Sequence, residues 1–436
     1  MMWKIMQLED APEISFLYGL TYEGRRDNLD IMHELLMHLN NPHLSGMKYV
    51  HVTGTNGKGS VCSAVYSVLR RRYRAGLYVS PHVYKFNERI VVNDKQIEDK
   101  YIINFIRGFM PIIERLRKES KGPSFFEVVT SLAFEYFARL GCEVAVIEVG
   151  LGGRLDPTNV INPLVSAITS IDLEHTQILG NTIESIAYEK AGIIKPGVPV
   201  VVGALDIRAL RVIKEVARNR GAELYNAPLE YDVSDINLRL NGMSFRILGR
   251  NGEYKINFPL VGRHQVNNVL ITLKILELLK DNFPVEKSDI ELGLAEARLP
   301  GRFEVKLKKP LVIFDIAHNP AAARALADTI GELGLEDVTF LFSALKDKDL
   351  DGILSNLSRV STDIIVTEIG YEERKTPLEE IERCARKYFK NVKAVRDSKE
   401  ALQYALEKSG TIIATGSAYL LRELEIHLRS IISPRG

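Results

Sequence analysis

The sequence predicts an α/β protein, with a doubly wound N-terminal domain that carries a small antiparallel β insertion and a smaller α/β domain after it. Three observations predict it. Short runs rich in Val and Ile recur along the chain, apolar on both faces and separated by segments of helical periodicity, the pattern of parallel strands covered by helices. The stretch 228–260 alternates apolar and polar residues instead. Beyond Pro300-Gly301, a punctuating pair suited to a linker, the strand–helix alternation restarts. At 436 residues, 46% of them hydrophobic and 26% charged, the chain has the length for two or three domains and the composition to bury their cores without staples.

KYVHVT (48–53) reads as the first strand, running into a Gly-rich turn and a helix over Ser60–Arg72. AGLYVS (75–80), EVAVIEVG (143–150), LVSAITSID (164–172) and VPVVVG (198–203) supply further strands. In the insertion INLRL and SFRIL alternate, and Asn241-Gly242 and Asn251-Gly252 are hairpin turn signals. A helix over 265–280 and the segment ARLPGR (297–302) come next, so the first domain is set at 1–297. LVIFDI (311–316), VTFLFSA (338–344), DIIVTEI (363–369), VKAVRD (392–397) and TIIATGS (411–417) alternate with helices as a Rossmann-like domain over 298–436. Ligands in such domains bind beyond the C-terminal ends of the strands, which makes the cleft between the two domains the expected active site.

Charge excludes some partners. Lys+Arg is 57 and Asp+Glu 56, a net charge of +1, so no global field draws the chain to nucleic acid or to a membrane surface. A local basic pocket for a small anion stays open. Cys62, Cys142 and Cys384 are too few for a disulfide framework and lack metal-ligand spacing, which points to a reducing compartment. MMWKIMQLEDAPEIS has acids where a signal peptide needs its apolar stretch, and no run approaches the ~18 apolar residues of a membrane span. The expected location is the cytoplasm.

His51-Val-Thr-Gly-Thr-Asn-Gly-Lys-Gly-Ser60 is the most informative string. It extends a strand and opens a helix, the context a phosphate loop needs. Gly54, Gly57 and Gly59 let backbone approach phosphate oxygens, with Thr55 and Asn56 between the first two. Lys58 is placed to reach terminal phosphates, and Ser60 to ligand Mg²⁺ or phosphate. The spacing is tighter than G-x-x-x-x-G-K-[ST], and a Gly separates Lys58 from Ser60.

Other strings hold polar residues where a bland element would not need them. Glu148 ends an otherwise apolar strand and opens Glu148-Val-Gly-Leu-Gly-Gly-Arg-Leu155-Asp156-Pro-Thr-Asn159, where a buried charge is costly unless paired or metal-bound. Ser80-Pro81-His82 ends the second strand, with Phe86, Glu88 and Arg89 beyond it. Phe125-Phe126-Glu127 opens an apolar helix; read alone its aromatics are core, yet an aromatic wall with one carboxylate suits a flat heterocycle. His175 ends a strand, and Glu189-Lys190-Ala-Gly-Ile reads by itself as an amphipathic helix with a solvated pair. Asn181 is placed to cap that helix, and Asn268 in Gln265-Val-Asn-Asn268 to cap the next. Gly301-Arg302-Phe-Glu304, Asp315-Ile316-Ala-His318-Asn-Pro and Thr415-Gly-Ser417 punctuate the second domain.

In order and spacing these strings resemble the Mur ligase superfamily of ATP-dependent amide ligases, and the Lys-Gly-Ser ending resembles its folate branch. The resemblance runs from the first strand to residue 417. It implies an ATP loop at 54–60; Mg²⁺, two ions, at Ser80, Glu148 and His175; and a carbamylated Lys190. It implies a pterin and substrate site at Arg89, Phe126, Glu127, Leu155 and Asp156. Asn268 falls by the nucleotide base, Arg302 and Asp315 at the nucleotide and His318 in the phosphate region. Departures are Pro157 for a usual Ala, Asn181 for Asp and Ile316 for Gly. Lys58, Lys190 and His318 are the expected catalytic groups.

The resemblance thus implies a ligase that adds L-glutamate to folates, tetrahydrofolate included, through an acyl phosphate. A monomer with small-molecule partners only is expected. Dihydropteroate as a second substrate, product chain length and a need for K⁺ stay open. Two alternatives stand beside it: another Mur-type ligase acting on a non-folate carboxylate, and a phosphate-loop regulatory module. Only about 50 residues precede the ATP loop, too few for the UDP-sugar-binding domain of peptidoglycan ligases.

Overall fold

The computed structural model describes residues 8, 11–20, 27–250, 252–371, 374–408 and 410–432. Asn251 of the second hairpin signal lies outside the described residues, as do residues 1–7, 9 and 10 of the N-terminal string. The chain divides into two compact units. The first draws on residues up to Ser80, on Asn87–Ala227 and on Ile271–Glu286; the second on Pro81–Phe86, Pro228–Leu270 and residues from Lys287 onward.

The first unit is built on an eight-stranded sheet. Its strands are β1 (Lys48–Thr53), β2 (Ala75–Tyr78), β3 (Ile90–Val92), β4 (Lys95–Gln96), β5 (Val144–Glu148), β6 (Val165–Ile168), β7 (Val200–Val202) and β8 (Leu224–Asn226), in the order β4-β3-β2-β5-β1-β6-β7-β8. Six run parallel; β3 and β4 form an antiparallel edge that the apolar-run pattern does not predict. The signal for that edge is polar: Asn93 and Asp94 both take positive φ, as a tight hairpin turn demands. β5 is buried at all five positions and β1 at five of six, which is why both read as continuous apolar runs. Helix Ile207–Asn219 shows the complementary pattern, burying Ala209, Ile213 and Ala217 at four-residue spacing against the sheet.

The second unit contains both remaining sheets. β9 (Asp232–Arg239), β10 (Gly242–Gly249) and β11 (Gly252–Phe258) form the antiparallel insertion, with Arg239 opposite Gly242 across the Asn241-Gly242 turn. β12 (Glu304–Lys308), β13 (Leu311–Phe314), β14 (Val338–Phe342), β15 (Asp363–Val366), β16 (Asn391–Ala394) and β17 (Thr411–Thr415) make the larger sheet in the order β12-β13-β17-β14-β15-β16. All neighbours are parallel except the β12–β13 pair. Two apolar layers sandwich this sheet, one around Phe340 and Phe342 and the other around Phe314 and Leu341. Among the described residues no helix is long and apolar enough to cross a membrane. Cys62, Cys142 and Cys384 are free thiols, each buried.

Two helix-capping expectations are corrected. Asn181 is not the cap of helix Ile183–Ala191; Thr182 is, accepting from the Ser185 amide in a reciprocal capping box. Asn268 lies in the second turn of helix His264–Leu279, past any cap position, and its amide donates to Gln265 Oε1 at 2.9 Å.

Candidate active site

In the first unit, β1 ends at Thr53 and the chain turns through Gly54–Gly57 into helix Lys58–Leu69. Gly57 is the N-cap residue at φ +87, and no side chain caps this end, so the first-turn amides are left to a ligand or solvent. Gly54 sits at φ +151, and a Cβ there would lie 1.9 Å from Thr169 Oγ1. Thr169 cannot simply move aside, because its hydroxyl donates to the Asn56 carbonyl at 2.6 Å. Two more bonds pin the loop to the chain beyond β6: the Thr55 amide to the Ser170 carbonyl at 2.8 Å, and the Asn56 amide to Ser170 Oγ at 2.9 Å. Thr169 and Ser170 escape a reading of the sequence because they lie just past the strand as an unremarkable Thr-Ser pair. Lys58 Nζ donates to the carbonyls of Gly54 and Thr55 at 2.8 and 3.0 Å. Gly54→Ala is therefore expected to cost about 1–3 kcal/mol through the clash and the strained φ. Thermal unfolding measures it, and an unchanged midpoint would show that the loop relaxes freely.

β5 runs beside β1 with Val52 opposite Glu148, so Glu148 emerges next to the phosphate loop's entry. Glu148 is 4% exposed, and its carboxylate accepts the Ser80 amide at 3.0 Å. The two residues predicted as oxygen donors thus lie side by side, joined through the Ser80 backbone amide. A carboxylate and a hydroxyl are hard donors of the kind Mg²⁺ takes, and that ion keeps several waters besides one or two protein ligands. His175 stands at φ +46 before the short helix Thr176–Leu179. Among the described residues no three His, Cys, Asp or Glu side chains are grouped to hold a metal, so the fit rests on Glu148 and Ser80.

Lys190 is 1% exposed in its side chain and pairs with Glu174 at 2.8 Å, not with solvent as a bland helix would have it. Burial works against the Glu174 carboxylate, but Lys190 and Lys58 outweigh it and hold the group at about 2. Burial also pulls Lys190 below its ordinary range, with Glu174 opposing. The sequence marks Glu174 only as an acid next to His175 after a strand, too weak a signal to predict its role.

The Gly150–Asn159 turn surrounds Asp156. Asp156 Oδ2 accepts the amides of Gly150 and Leu151 at 3.0 and 2.9 Å; Oδ1 accepts the Thr158 amide at 3.0 Å and the Thr158 hydroxyl at 2.5 Å. The carboxylate therefore shapes the turn that Leu155 belongs to. Arg154 ties the same turn to the Lys190 helix, its amide to the Glu189 carbonyl at 2.8 Å and its guanidinium to the Glu189 carboxylate at 3.0 Å. Phe126 lies across Gly150, where a Cβ would come within 2.4 Å of the ring, and its centroid is 6.0 Å from that of Tyr78. The Arg89 guanidinium sits 5.3 Å over the Phe125 ring, a cation–π contact for a nearly buried charge. Glu127 is engaged as the third residue of a capping box, accepting the Ser124 amide at 2.7 Å.

In the second unit, Asp315 leaves the end of β13 and accepts the amides of Phe303 and Ala317 at 2.8 and 2.9 Å. Burial raises its pKa, with Arg302 countering. Arg302 precedes Phe303, a bulky residue at φ +46 that the Asp315 bond and the β-sheet core hold in place. His318 Nδ1–H donates to the Ile316 carbonyl at 2.9 Å, so in the neutral ring Nε2 carries the lone pair. Ile316, where the resemblance has Gly, is outside the left-handed region, so the backbone here does not require glycine. Ser417 Oγ accepts the Tyr419 amide at 3.2 Å at the start of helix Ala418–Ile432, a structural use for a motif whose role the sequence left open.

The Mur ligase middle domain matches residues 52–276, and the Mur ligase glutamate ligase domain matches 301–418. The chain is 34% identical over 395 residues to the folylpolyglutamate synthase of Lacticaseibacillus casei, covering 88% of this chain and 91% of that protein. It is 32% identical over 428 residues to the dihydrofolate synthase/folylpolyglutamate synthase of Bacillus subtilis, covering 95% and 98%. Its structure is similar to that of Mycobacterium tuberculosis folylpolyglutamate synthase complexed with ADP, with a TM-score of 0.85, 31% identity and 91% and 94% of the two chains covered.

Proposed function

The chain belongs to the folylpolyglutamate and dihydrofolate synthases of the Mur ligase family, ATP-dependent ligases, and on that premise we propose that it joins L-glutamate to a folate carboxylate using the residues described above. The observation that carries the assignment is the meeting of three features in one unit. They are the uncapped phosphate loop, the Glu148–Ser80 pair beside it and the Phe126-covered turn around Asp156.

In this reading a substrate carboxylate oxygen attacks the γ-phosphorus of ATP, and ADP leaves. The glutamate amine then attacks the acyl carbon, and phosphate departs with the former carboxylate oxygen. The amine's proton passes to a base or solvent. Lys58 and the free amides of helix Lys58–Leu69 bind the phosphates. On the family pattern Arg302 and Asp315 are assigned to the nucleotide, Asn268 to its base and His318 to the phosphate region. Glu148 and Ser80, with His175 on the family pattern, would hold Mg²⁺, two ions, which would supply neutralisation of phosphate charge. Arg89, Phe126, Glu127, Leu155 and Asp156 form the pteridine site, with Asp156 acting through the turn it organises. Carbamylation of Lys190 belongs to the same reading: burial favours the neutral amine, whose lone pair attacks CO₂ with loss of a proton, and Glu174 restrains it by favouring the ammonium. We set the functional boundary at 297/298, consistent with the spans of the two matching domains, and read the protein as a cytoplasmic monomer with small-molecule partners.

Substrate labelled with ¹⁸O in the reacting carboxylate is expected to yield ¹⁸O-labelled inorganic phosphate, with turnover dependent on both pteridine and glutamate. Mass spectrometry of the phosphate reads this directly. Phosphate free of label would remove the acyl phosphate; turnover supported by UDP-linked muramyl substrates in place of folates would remove the folate assignment. Offering dihydropteroate and tetrahydrofolate separately, with and without K⁺, decides substrate range and ion demand.

A further inference from the structure

His51 lies in β1, three residues before Gly54, and its side chain is wholly buried in the first unit. Its strand neighbours Val50 and Val52 are apolar, and an aliphatic residue would serve packing there at no polar cost. Instead His51 Nε2 lies 2.8 Å from Thr158 Oγ1. The Thr158 hydroxyl has one hydrogen, and it is committed to Asp156 Oδ1 at 2.5 Å. Nε2 is therefore the donor, and the imidazole is the neutral Nε2–H tautomer. Among the described residues its buried Nδ1 has no hydrogen-bond partner, so the bond to Thr158 is what the ring has in return for its burial. Burial also pushes the ring's pKa down to about 3, which keeps it a neutral donor throughout the working range.

We propose that His51 is a positioning residue: through the Thr158 hydroxyl it orients the Asp156 carboxylate and the Gly150–Asn159 turn around it. The inference rests on the assignment of that turn to the pteridine substrate. The physical argument is one of rotamers. Without an Nε2–H donor the Thr158 hydroxyl loses the contact that aims its proton, and one of four donors on Asp156 is loosened. The other three are backbone amides of the turn itself; Thr53 also ties that turn to β1, its hydroxyl donating to the Gly152 carbonyl at 2.6 Å, but among the described residues it is the His51–Thr158 link that runs from β1 to the carboxylate itself. A group that acts in this way tunes one substrate's site and leaves the other substrate's binding alone.

The test is steady-state kinetics on the full chain, with the pteridine substrate and ATP varied separately in His51→Leu, His51→Gln, Thr158→Val and Asp156→Ala. His51→Leu and Thr158→Val are each expected to raise the pteridine KM about tenfold, with the ATP KM within about twofold of wild type. Their combination is expected to be no worse than either alone. His51→Gln, whose Nε2 amide reaches as far as the imidazole Nε2–H, is expected to return the pteridine KM to within about threefold of wild type. A wild-type pteridine KM in both His51→Leu and Thr158→Val overturns the proposal. So does an equal rise in both KM values, or His51→Gln as impaired as His51→Leu. Should His51→Leu fail to fold, Thr158→Val carries the same comparison. If Asp156→Ala leaves the pteridine KM untouched, the assignment of the turn to that substrate falls, and the proposal with it. If Asp156→Ala raises it while the relay variants do not, the relay alone falls.

Discussion

Lys58→Ala is expected to fold normally and to lose at least about 10³-fold in turnover. The fold should survive because, among the described residues, the hydrogen bonds of Nζ go to its own loop, at the Gly54 and Thr55 carbonyls, Glu174 keeps Lys190 as its direct partner, and the loop is pinned separately through Thr169 and Ser170. Turnover should not survive, because phosphoryl transfer leaves the protein little to do beyond placing charge and aligning groups. Lys58 opens the helix, and its flexible stem lets Nζ swing from those carbonyls to a phosphate oxygen. Thermal unfolding together with steady-state ATP turnover checks both halves. A soluble Lys58→Ala protein with near-wild-type turnover would take the phosphate-loop assignment with it.

Lys190→Met carries the largest expected stability effect. Truncating one partner of a buried pair strands the other charge, a cost of about 3–5 kcal/mol. Here the stranded group is Glu174, although the neighbouring charge of Lys58 offsets part of that cost. The double variant Lys190→Met/Glu174→Gln removes both charges and is expected to recover most of the stability. If Lys190 serves only as Glu174's counter-ion, the double variant also recovers turnover. If Lys190 takes part in organising the metal and phosphates, it recovers stability alone, and bicarbonate or short carboxylates partly restore the activity of Lys190→Ala. A Lys190→Met protein with wild-type stability and turnover would exclude both roles.

Much of the fold is legible because buried parallel strands write themselves as apolar runs. The strand predicted at 48–53 is β1 with the same bounds, and those predicted at 143–150, 338–344 and 411–417 are β5, β14 and β17 with their ends trimmed, since the trimmed residues leave the ladder to form loops. What the runs cannot announce is pairing at sheet edges. β3–β4 and β12 are short or half exposed, and their signals are turn residues and alternation instead of continuous hydrophobicity. The cap of helix Ile183–Ala191 differs from expectation by one residue because Asn and Thr are both good caps, and only the backbone conformation chooses between Asn181 and Thr182.

The sequence by itself determined the α/β class, the strand–Gly turn–helix at 53–58 and the family, because local strings of Gly, Lys and acids at strand ends have few other uses. Tertiary structure alone decided what each polar group is bonded to. Glu127 proved to cap its own helix, Asp156 to organise its turn, Lys190 to face Glu174, and His51 to reach Thr158, 107 positions away. The first two are local, within one helix end and one turn, but the partners of Lys190 and His51 lie on other segments of the chain. A hydrogen bond or ion pair is decided by distances of about 3 Å, which no spacing along the chain encodes until the sheet brings the strand ends together.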